Sequence, residues 1–182
     1  ETDLLSPDKV VENIDAIVLA GGSAFGLDAS SGVMDCLRSQ NRGFDTGPIK
    51  VPIVPSAILF DLKNGGFKDW KINPYSDIGR DAFLNVSENL EIGSVGAGCG
   101  ATTSVVKGGL GTSSIIYQNR IKVGALVAVN SVGSPCFPGT NILFSDFYCK
   151  DIEMHFETPN KSSLINPTKL LTGEATTLGI VC

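Results

Sequence analysis

The stretch at residues 14–26 is Ile14-Asp-Ala-Ile-Val-Leu-Ala-Gly-Gly-Ser-Ala-Phe-Gly26, and it decides the fold class. Its first half is a short apolar run with β-branched residues, which predicts a strand. The glycines that follow predict a tight turn, and the next residues suit a helix that ends near Gln40. A strand, a glycine-rich turn and a helix in this order indicate an α/β domain.

Four further segments extend this pattern along the chain. Prolines restrict the first half of residues 51–62 to an edge strand or a lead-in. Residues 75–89 predict a helix. The clearest strand is at residues 122–130, and its nearly continuous apolar run predicts burial on both faces. A final strand is expected to begin near Thr176, whereas residues 134–169 are irregular and suit an exposed connector.

The composition favours one packed domain. With 182 residues, 42% of them hydrophobic and 18% charged, the chain is long enough for a single core. A formal net charge of -5 without a basic cluster argues against a nucleic-acid partner. No apolar run approaches the roughly 20 residues that span a bilayer, and we expect no membrane partner. The cytoplasm is taken only as the default location.

The five cysteines are scattered and never form Cys-x-x-Cys, so we expect buried reduced thiols and no metal or other cofactor. They are Cys36, Cys99, Cys136, Cys149 and Cys182. The chain begins without Met and stops inside an apolar run. We therefore expect a fragment that is truncated at both ends and inactive by itself.

Two adjacent threonines, Thr176 and Thr177, stand where a polar linker meets the last apolar run. A threonine hydroxyl needs a base, and an N-terminal threonine can use its own α-amine, whose ordinary pKa is about 7.7 to 8.0. A precursor reaches that state if the hydroxyl attacks the preceding carbonyl, which small Ala175 leaves accessible. From this segment alone, the simpler interpretation is that the threonines only open a strand.

Lys107 and Asn130 are candidates for supporting roles. Lys107 lies among glycines and apolar residues that offer a cation little solvation, so its charge could act on a neighbouring amine or a developing oxyanion. The alternative is a surface lysine in a loop. Asn130 ends the predicted strand, where its amide could donate to an oxyanion or simply cap a turn.

The glycine patterns do not indicate nucleotide binding. Gly96-Ala-Gly-Cys-Gly-Ala101 fits a dinucleotide fingerprint, but the residues after it are not helical and no acid follows at the required distance. The turn at residues 21–26 lacks the Lys-Ser/Thr of a phosphate loop, and close packing or an amide-lined pocket is expected there. His155, the single histidine, is far from these motifs, so a Ser-His-Asp or Cys-His site has no well-placed base.

Five motifs in order resemble the family of DmpA-type aminopeptidases and nylon-oligomer hydrolases, peptidase family S58. They are Asp15-Ala-Ile-Val-Leu-Ala-Gly-Gly-Ser-Ala-Phe-Gly-Leu-Asp-Ala-Ser-Ser-Gly-Val33, Val51-Pro-Ile-Val-Pro55, Gly96-Ala-Gly-Cys-Gly-Ala101, Lys107-Gly-Gly109 and Val123-Gly-Ala-Leu-Val-Ala-Val-Asn130. The resemblance implies an α/β fold, specifically an αββα four-layer sandwich. It also implies autocleavage into two subunits that stay together, and a homo-oligomer, a tetramer.

The same resemblance assigns an activity and a site. It implies hydrolysis of amides at small N-terminal amino acids, of β-peptides or of ω-amino-acid oligomers. Thr176 becomes the nucleophile, with Lys107 and Asn130 supporting it, which replaces the simpler interpretation of Thr176. The chain is then one partial catalytic domain, 1–182, in which residues to 175 belong to the first subunit and residues 176–182 start the second.

Three departures from the family pattern bear on this expectation. Ala175 stands where many members have Asn or Gly, although an Ala-Thr junction is similar to that of the ornithine acetyltransferases. Phe60 stands where several members carry a Tyr whose hydroxyl helps to bind the oxyanion, so we expect that contribution to be missing. Phe60, Gly22 and Ser23 are the candidate substrate or oxyanion region. The acidic or hydroxyl partners lie beyond Cys182. Acyl transfer through the same threonine and an inactive, unprocessed homologue are the alternative functions.

Overall fold

The structure is a computed structural model that describes residues 2–118, 120–138, 140, 142–148 and 174–182. The described elements form small sheets and a few helices and give a mixed α/β architecture. The helices are α1 (Ala29–Ser39), α2 (Tyr75–Leu84) and α3 (Phe144–Tyr148), with short 3-10 helices at Asp3–Leu5, Ser23–Asp28 and Gly96–Gly98. The strands are β1 (Val18–Ala20), β2 (Phe44–Asp45), β3 (Lys50–Val51), β4 (Ser56–Ile58), β5 (Gly109–Tyr117), β6 (Ile121–Asn130) and β7 (Thr176–Val181).

The predicted strand, turn and helix at the start of the chain are confirmed, although β1 has only three residues. Helix α1 buries Ala29, Gly32, Val33, Cys36 and Leu37, which recur at three- and four-residue spacing and so form one face. The turn before it is tightly packed, as expected. A Cβ added to Gly26 would lie 1.9 Å from the carbonyl oxygen of Gly21, so only glycine fits there.

Helices α1 and α2 approach each other through two glycines. A Cβ on Gly32 would lie 1.9 Å from the Ser76 carbonyl oxygen, and one on Gly79 would lie 2.0 Å from the Ala29 carbonyl oxygen. Helix α2 ends at Leu84, five residues before the predicted end, where the side-chain amide of Asn85 donates to the Asp81 carbonyl at 2.8 Å. The glycines fix the close spacing of the helix pair.

The prolines at residues 51–62 act as predicted. The first half of this segment contributes only the short strand β3, which pairs antiparallel with β2. Strand β4 begins directly after Pro55 and pairs in parallel with β1, with Leu19 opposite Ala57. Proline has no N–H to donate, so regular pairing starts only after the last proline.

A three-stranded antiparallel sheet has the order β5-β6-β7. Strands β6 and β7 confirm the two strands predicted at those positions, whereas β5 was not predicted because its glycines and serines obscure the pattern. The expectation that β6 is buried on both faces is wrong. Only Ala128 and Asn130 of this strand are buried, because its Ile121 end extends beyond the layers that cover the other end.

The main core contains residues from both larger sheets. Leu59, Ala97, Ala101 and Ala128 form its buried centre, and Leu19, Leu110 and Leu178 pack against it. Since β1 and α1 are also in contact, the helix pair, the β1-β4 sheet and the β5-β6-β7 sheet follow one another around this core. The predicted connector at residues 134–169 contains α3 and otherwise lies largely outside the described residues.

Candidate functional site

The antiparallel pairing of β6 and β7 brings Asn130 and Thr176 directly opposite each other. Their Cα atoms are partners at the last position of the ladder, with Thr177 opposite Val129 and Leu178 opposite Ala128 next to them. Side chains of directly opposed residues have Cβ atoms about 4.5 to 5.5 Å apart and project from the same face. Two residues that are 46 positions apart in sequence are therefore neighbours at one end of the sheet.

Asn130 is fully buried, and its side-chain amide is fixed by hydrogen bonds on both sides. Its Oδ1 accepts the backbone N–H of Thr102 at 3.0 Å and lies 3.5 Å from Nδ2 of Asn64. Its Nδ2 donates to the Phe60 carbonyl at 2.8 Å. These contacts define which end of the amide is the donor end, so the orientation of the group follows from its partners.

The alternation of β7 separates the two threonines. Thr176, Leu178 and Ile180 are half-buried, whereas Thr177, Gly179 and Val181 are exposed. Leu178 packs against the core and lies opposite Ala128, so Thr176 projects from the face that carries Leu178 and Asn130. Thr177 projects from the opposite, exposed face.

Lys107 lies on a turn next to the buried end of β6, and its exposure matches the interpretation of a surface lysine in a loop rather than that of a poorly solvated cation. The residue forms an isolated bridge with Thr102, whose N–H binds Asn130, while its side chain is exposed. The ammonium group donates to the Cys99 carbonyl at 2.6 Å and to Ser94 Oγ at 3.4 Å. The turn projects this side chain toward polar acceptors and solvent instead of into the apolar core.

A cleft of about 890 Å³ lies beside this end of the sheet. Its polar wall includes Asp61, Asn64, Tyr75 and Lys107, and its apolar wall comes from β1 and the helix pair. Asn130 and Thr176 do not line it. Asn64 connects the two regions, since its Nδ2 donates to the Gly100 carbonyl at 2.8 Å and also approaches Asn130.

Asp61 is a buried cleft residue that the sequence reasoning missed. Its Oδ1 accepts the N–H of Gly22 at 2.7 Å, and a Cβ on Gly21 or Gly100 would lie 2.4 or 2.1 Å from its Oδ2. Burial and the nearby Asp61 carboxylate raise the pKa of Tyr75 above its ordinary value of 10.0. The sequence does contain a sign of this residue, because Asp61 directly follows the apolar run at residues 57–60.

Each residue of the candidate substrate or oxyanion region has one backbone group that is hydrogen-bonded within the protein. The Gly22 N–H binds Asp61, the Ser23 N–H donates to the Leu59 carbonyl at 3.0 Å, and the Phe60 carbonyl accepts from Asn130. Ser23 has φ 55, a left-handed conformation that few non-glycine residues adopt. The structure therefore places these three residues in the scaffold that joins the cleft to Asn130.

The cysteines, the histidine and the second glycine motif were the other candidates from the sequence. Cys36 and Cys136 are buried as expected, whereas Cys99, at the cleft, and Cys182, after β7, are exposed. His155 and Cys149 lie outside the described residues. The 3-10 helix at Gly96–Gly98 does not continue into a longer helix, in agreement with our rejection of a dinucleotide fingerprint.

The described part of the chain contains neither a metal-binding cluster nor a membrane-spanning helix. Its His, Cys, Asp and Glu residues contain no group of three arranged to hold a metal ion. None of its helices has the length and apolar character needed to cross a bilayer.

Comparison with known proteins identifies the family. The sequence profile of peptidase family S58 matches residues 1–177. An uncharacterized aminopeptidase of Mycobacterium tuberculosis (strain ATCC 25618 / H37Rv) is 43% identical over 142 residues, which are 78% of this chain and 40% of that protein. An uncharacterized aminopeptidase of Mycobacterium leprae (strain TN) is 37% identical over 193 residues, 100% of this chain and 52% of the relative. The chain thus spans about half the length of these relatives, and it belongs to peptidase family S58.

Proposed function

We propose that the protein is a self-processing N-terminal-nucleophile amide hydrolase with aminopeptidase activity, and that Thr176 is its nucleophile. The observation that carries this proposal is the position of Thr176, which is the first residue of β7 and lies opposite buried Asn130. Thr177 lies on the exposed face, so the geometry favours Thr176. Membership of a peptidase family and the aminopeptidase names of the relatives support hydrolysis of a peptide bond.

Self-cleavage would proceed at the peptide bond between Ala175 and Thr176. The Thr176 hydroxyl oxygen attacks the Ala175 carbonyl carbon, the C–N bond breaks, and the hydroxyl proton passes to the departing amine. The resulting ester is then hydrolysed by water, which leaves a carboxylate on Ala175 and restores the Thr176 hydroxyl. Ala175 is exposed and small, so its side chain does little to shield its carbonyl. The new α-amine of Thr176 then serves as the base in each turnover.

In turnover, the α-amine accepts the hydroxyl proton as the Thr176 oxygen attacks a substrate carbonyl. The proton passes to the leaving amine, and water hydrolyses the acyl ester to release the acid. Negative charge builds up on the substrate oxygen, and Asn130 is suited to stabilise it because its donor end is already oriented. We assign Lys107 to the cleft side of the site, where its exposed ammonium group adds positive charge.

The cleft beside the site supports small peptides or amides with a free amino group as substrates. Its volume suits a short substrate, and it contains the buried carboxylate of Asp61. Small N-terminal amino acids, β-peptides and ω-amino-acid oligomers all present an amine near an amide bond. We propose this general class of substrate. Rates of hydrolysis for amides that differ in the spacing between the amine and the amide bond identify the preferred member.

Acyl transfer is the second candidate, and the Ala175–Thr176 junction favours it because ornithine acetyltransferases have a similar junction. Both reactions share the Thr176 ester and differ in whether water or an amine attacks it. Adding an amine acceptor distinguishes them, since an acyltransferase would form the new amide faster than the free acid. An inactive homologue would remain one uncut chain.

We further propose that these elements belong to an αββα four-layer sandwich. The sequence of helix pair, β1-β4 sheet and β5-β6-β7 sheet around one core supports three of the four layers. Cleavage would separate β6 and β7 into different chains, and their ladder of six residue pairs supports continued association. A homo-tetramer remains our proposal from the family resemblance.

The proposal is tested on the complete gene product by intact mass measurement and N-terminal sequencing. We expect two fragments, the second beginning Thr-Thr-Leu-Gly. Thr176→Ala should give one uncut, inactive chain, whereas Thr177→Ala, the matched control, should still be cut. Thr176→Ser keeps the hydroxyl and should process more slowly because it loses the branching that restricts the rotamer. An intact chain with full activity, or a fragment that begins Thr-Leu-Gly, contradicts the assignment.

A further inference from the structure

An ion pair anchors the chain two residues before the proposed cleavage site. Nζ of Lys63 contacts Oε1 of Glu174 across a sequence separation of 111 residues. The Glu174 side chain is only 14% exposed although it is charged. A carboxylate this buried is unfavourable without a cationic partner, so Lys63 fixes where Glu174 can lie.

Lys63 is itself positioned by residues that contact Asn130. Its ammonium group is 5.9 Å from the ring centroid of Phe60, whose carbonyl accepts the Asn130 amide. The next residue, Asn64, approaches the other end of the same amide. The loop that carries Lys63 is thus tied to Asn130 on both sides.

The Ala175–Thr176 bond therefore lies between two fixed points. On one side, Glu174 is held by Lys63, and on the other, Thr176 is held opposite Asn130 in the β6-β7 ladder. Only Ala175 lies between them. Restricting both ends of a short segment favours conformations in which the attacking oxygen is already near its target carbonyl.

We propose that Lys63 and Glu174 form a positioning clamp that holds the precursor in the conformation required for self-cleavage. This inference rests on the proposed self-cleavage at Thr176. The clamp acts only on the precursor, because cleavage leaves Glu174 on one chain and Thr176 on the other. It follows that loss of the ion pair slows processing much more than it slows turnover by molecules that have already been cut.

The test measures precursor conversion over time in the complete gene product, by denaturing gel and intact mass. Lys63→Met and Glu174→Gln should each slow cleavage roughly 10- to 100-fold, the range expected for a displaced reacting group. Turnover per cleaved molecule should stay close to wild type. The charge-reversed double variant, Lys63→Glu with Glu174→Lys, should regain part of the lost rate because it restores the attraction.

Matched controls are Lys71→Met and Glu91→Gln, which change exposed residues of the same types and should leave processing unchanged. Thermal unfolding of each variant in a Thr176→Ala background, where no chain is cut, checks that the precursor remains folded.

The outcomes separate this inference from the proposed function. A wild-type chain that is never cut at Ala175–Thr176 overturns both. If the wild type is cut there, the proposed function stands, and single variants that process at the wild-type rate overturn the clamp alone. The clamp is also overturned if turnover per cleaved molecule falls as much as processing does, or if charge reversal restores nothing, since either result indicates a general structural role.

Discussion

The two ends of strand β6 lie in opposite environments. At one end, Ile121 and the facing Tyr117 and Ile116 of β5 are apolar or aromatic and more than half exposed. At the other end, Ala128 and polar Asn130 are fully buried. Residue type alone would predict the reverse for Ile121 and Asn130. The layers that cover each end decide which residues are buried. Burial of the polar Asn130 side chain is possible because its amide is hydrogen-bonded to the Thr102 N–H and the Phe60 carbonyl.

The two ends of β6 also differ in how much they contribute to stability and to the proposed chemistry. The buried end concentrates hydrogen bonds, the start of β7 and the proposed cleavage site, whereas the Ile121 end has no described element packed over its apolar side chains. We therefore expect substitutions at the Asn130 end to have large effects and those at the Ile121 end to have small ones.

The largest effect is expected for Asn130→Ala in the complete gene product. Turnover should fall about a hundredfold or more if the amide donates to the oxyanion. Stability should also fall by about 1 to 3 kcal/mol, because the Phe60 carbonyl and the Thr102 N–H lose a partner. Steady-state kinetics and urea unfolding measure the two losses. Asn89→Ala, at an exposed asparagine, is the control, and an unchanged rate in a folded Asn130→Ala variant would return Asn130 to a structural role.

Lys107→Met tests whether the turn beside the buried end contributes charge. We expect both processing and turnover to fall, by roughly tenfold or more, if one ammonium group serves both steps. The fold should persist because the side chain is exposed. The control is Lys122→Met, at the opposite end of β6. Equal kinetics for both variants would show that the position of Lys107 has no catalytic consequence.

One substitution at each end of the β5-β6 pair compares the two ends through stability alone. Ala128→Leu adds volume to a fully buried site and should lower the free energy of unfolding by about 1 to 3 kcal/mol. Ile116→Thr, 58% exposed before substitution, should change it by less than about 0.5 kcal/mol. Urea unfolding midpoints measure both. Similar losses for the two variants would mean that the Ile116 side chain is covered in the complete protein.

Tyr75→Phe should have the smallest effect, limited to alkaline pH. Because the pKa of Tyr75 is raised in the folded protein, its neutral form contributes stability below pH 10, and that contribution is lost as pH rises through the folded value. Phenylalanine cannot ionise, so the variant should lose less stability than the wild type as pH rises above about 10. Tyr117→Phe, at an exposed site, is the control for urea unfolding at each pH, and parallel curves for all three proteins would contradict the prediction.

Periodicity and turn chemistry made several elements predictable from the sequence. The strand, turn and helix at residues 18–39 and the lead-in role of the prolines follow from local backbone preferences, which act over a few residues. Strand β5 was missed because glycine and serine carry little periodic signal. The sequence left two interpretations of Lys107 open for a different reason, since composition does not specify which way a turn projects a side chain.

By itself, the sequence determined the family, the α/β class, and the positions of Thr176 and Asn130 at the ends of two strands. It did so because motifs and strand patterns are properties of contiguous residues. Only the tertiary structure decided that these two residues face each other, that Asp61 is buried between two glycines, and that Lys63 pairs with Glu174. Each of these contacts joins residues separated by about 40 to more than 100 positions, so register and packing between elements, which no local pattern encodes, had to set them.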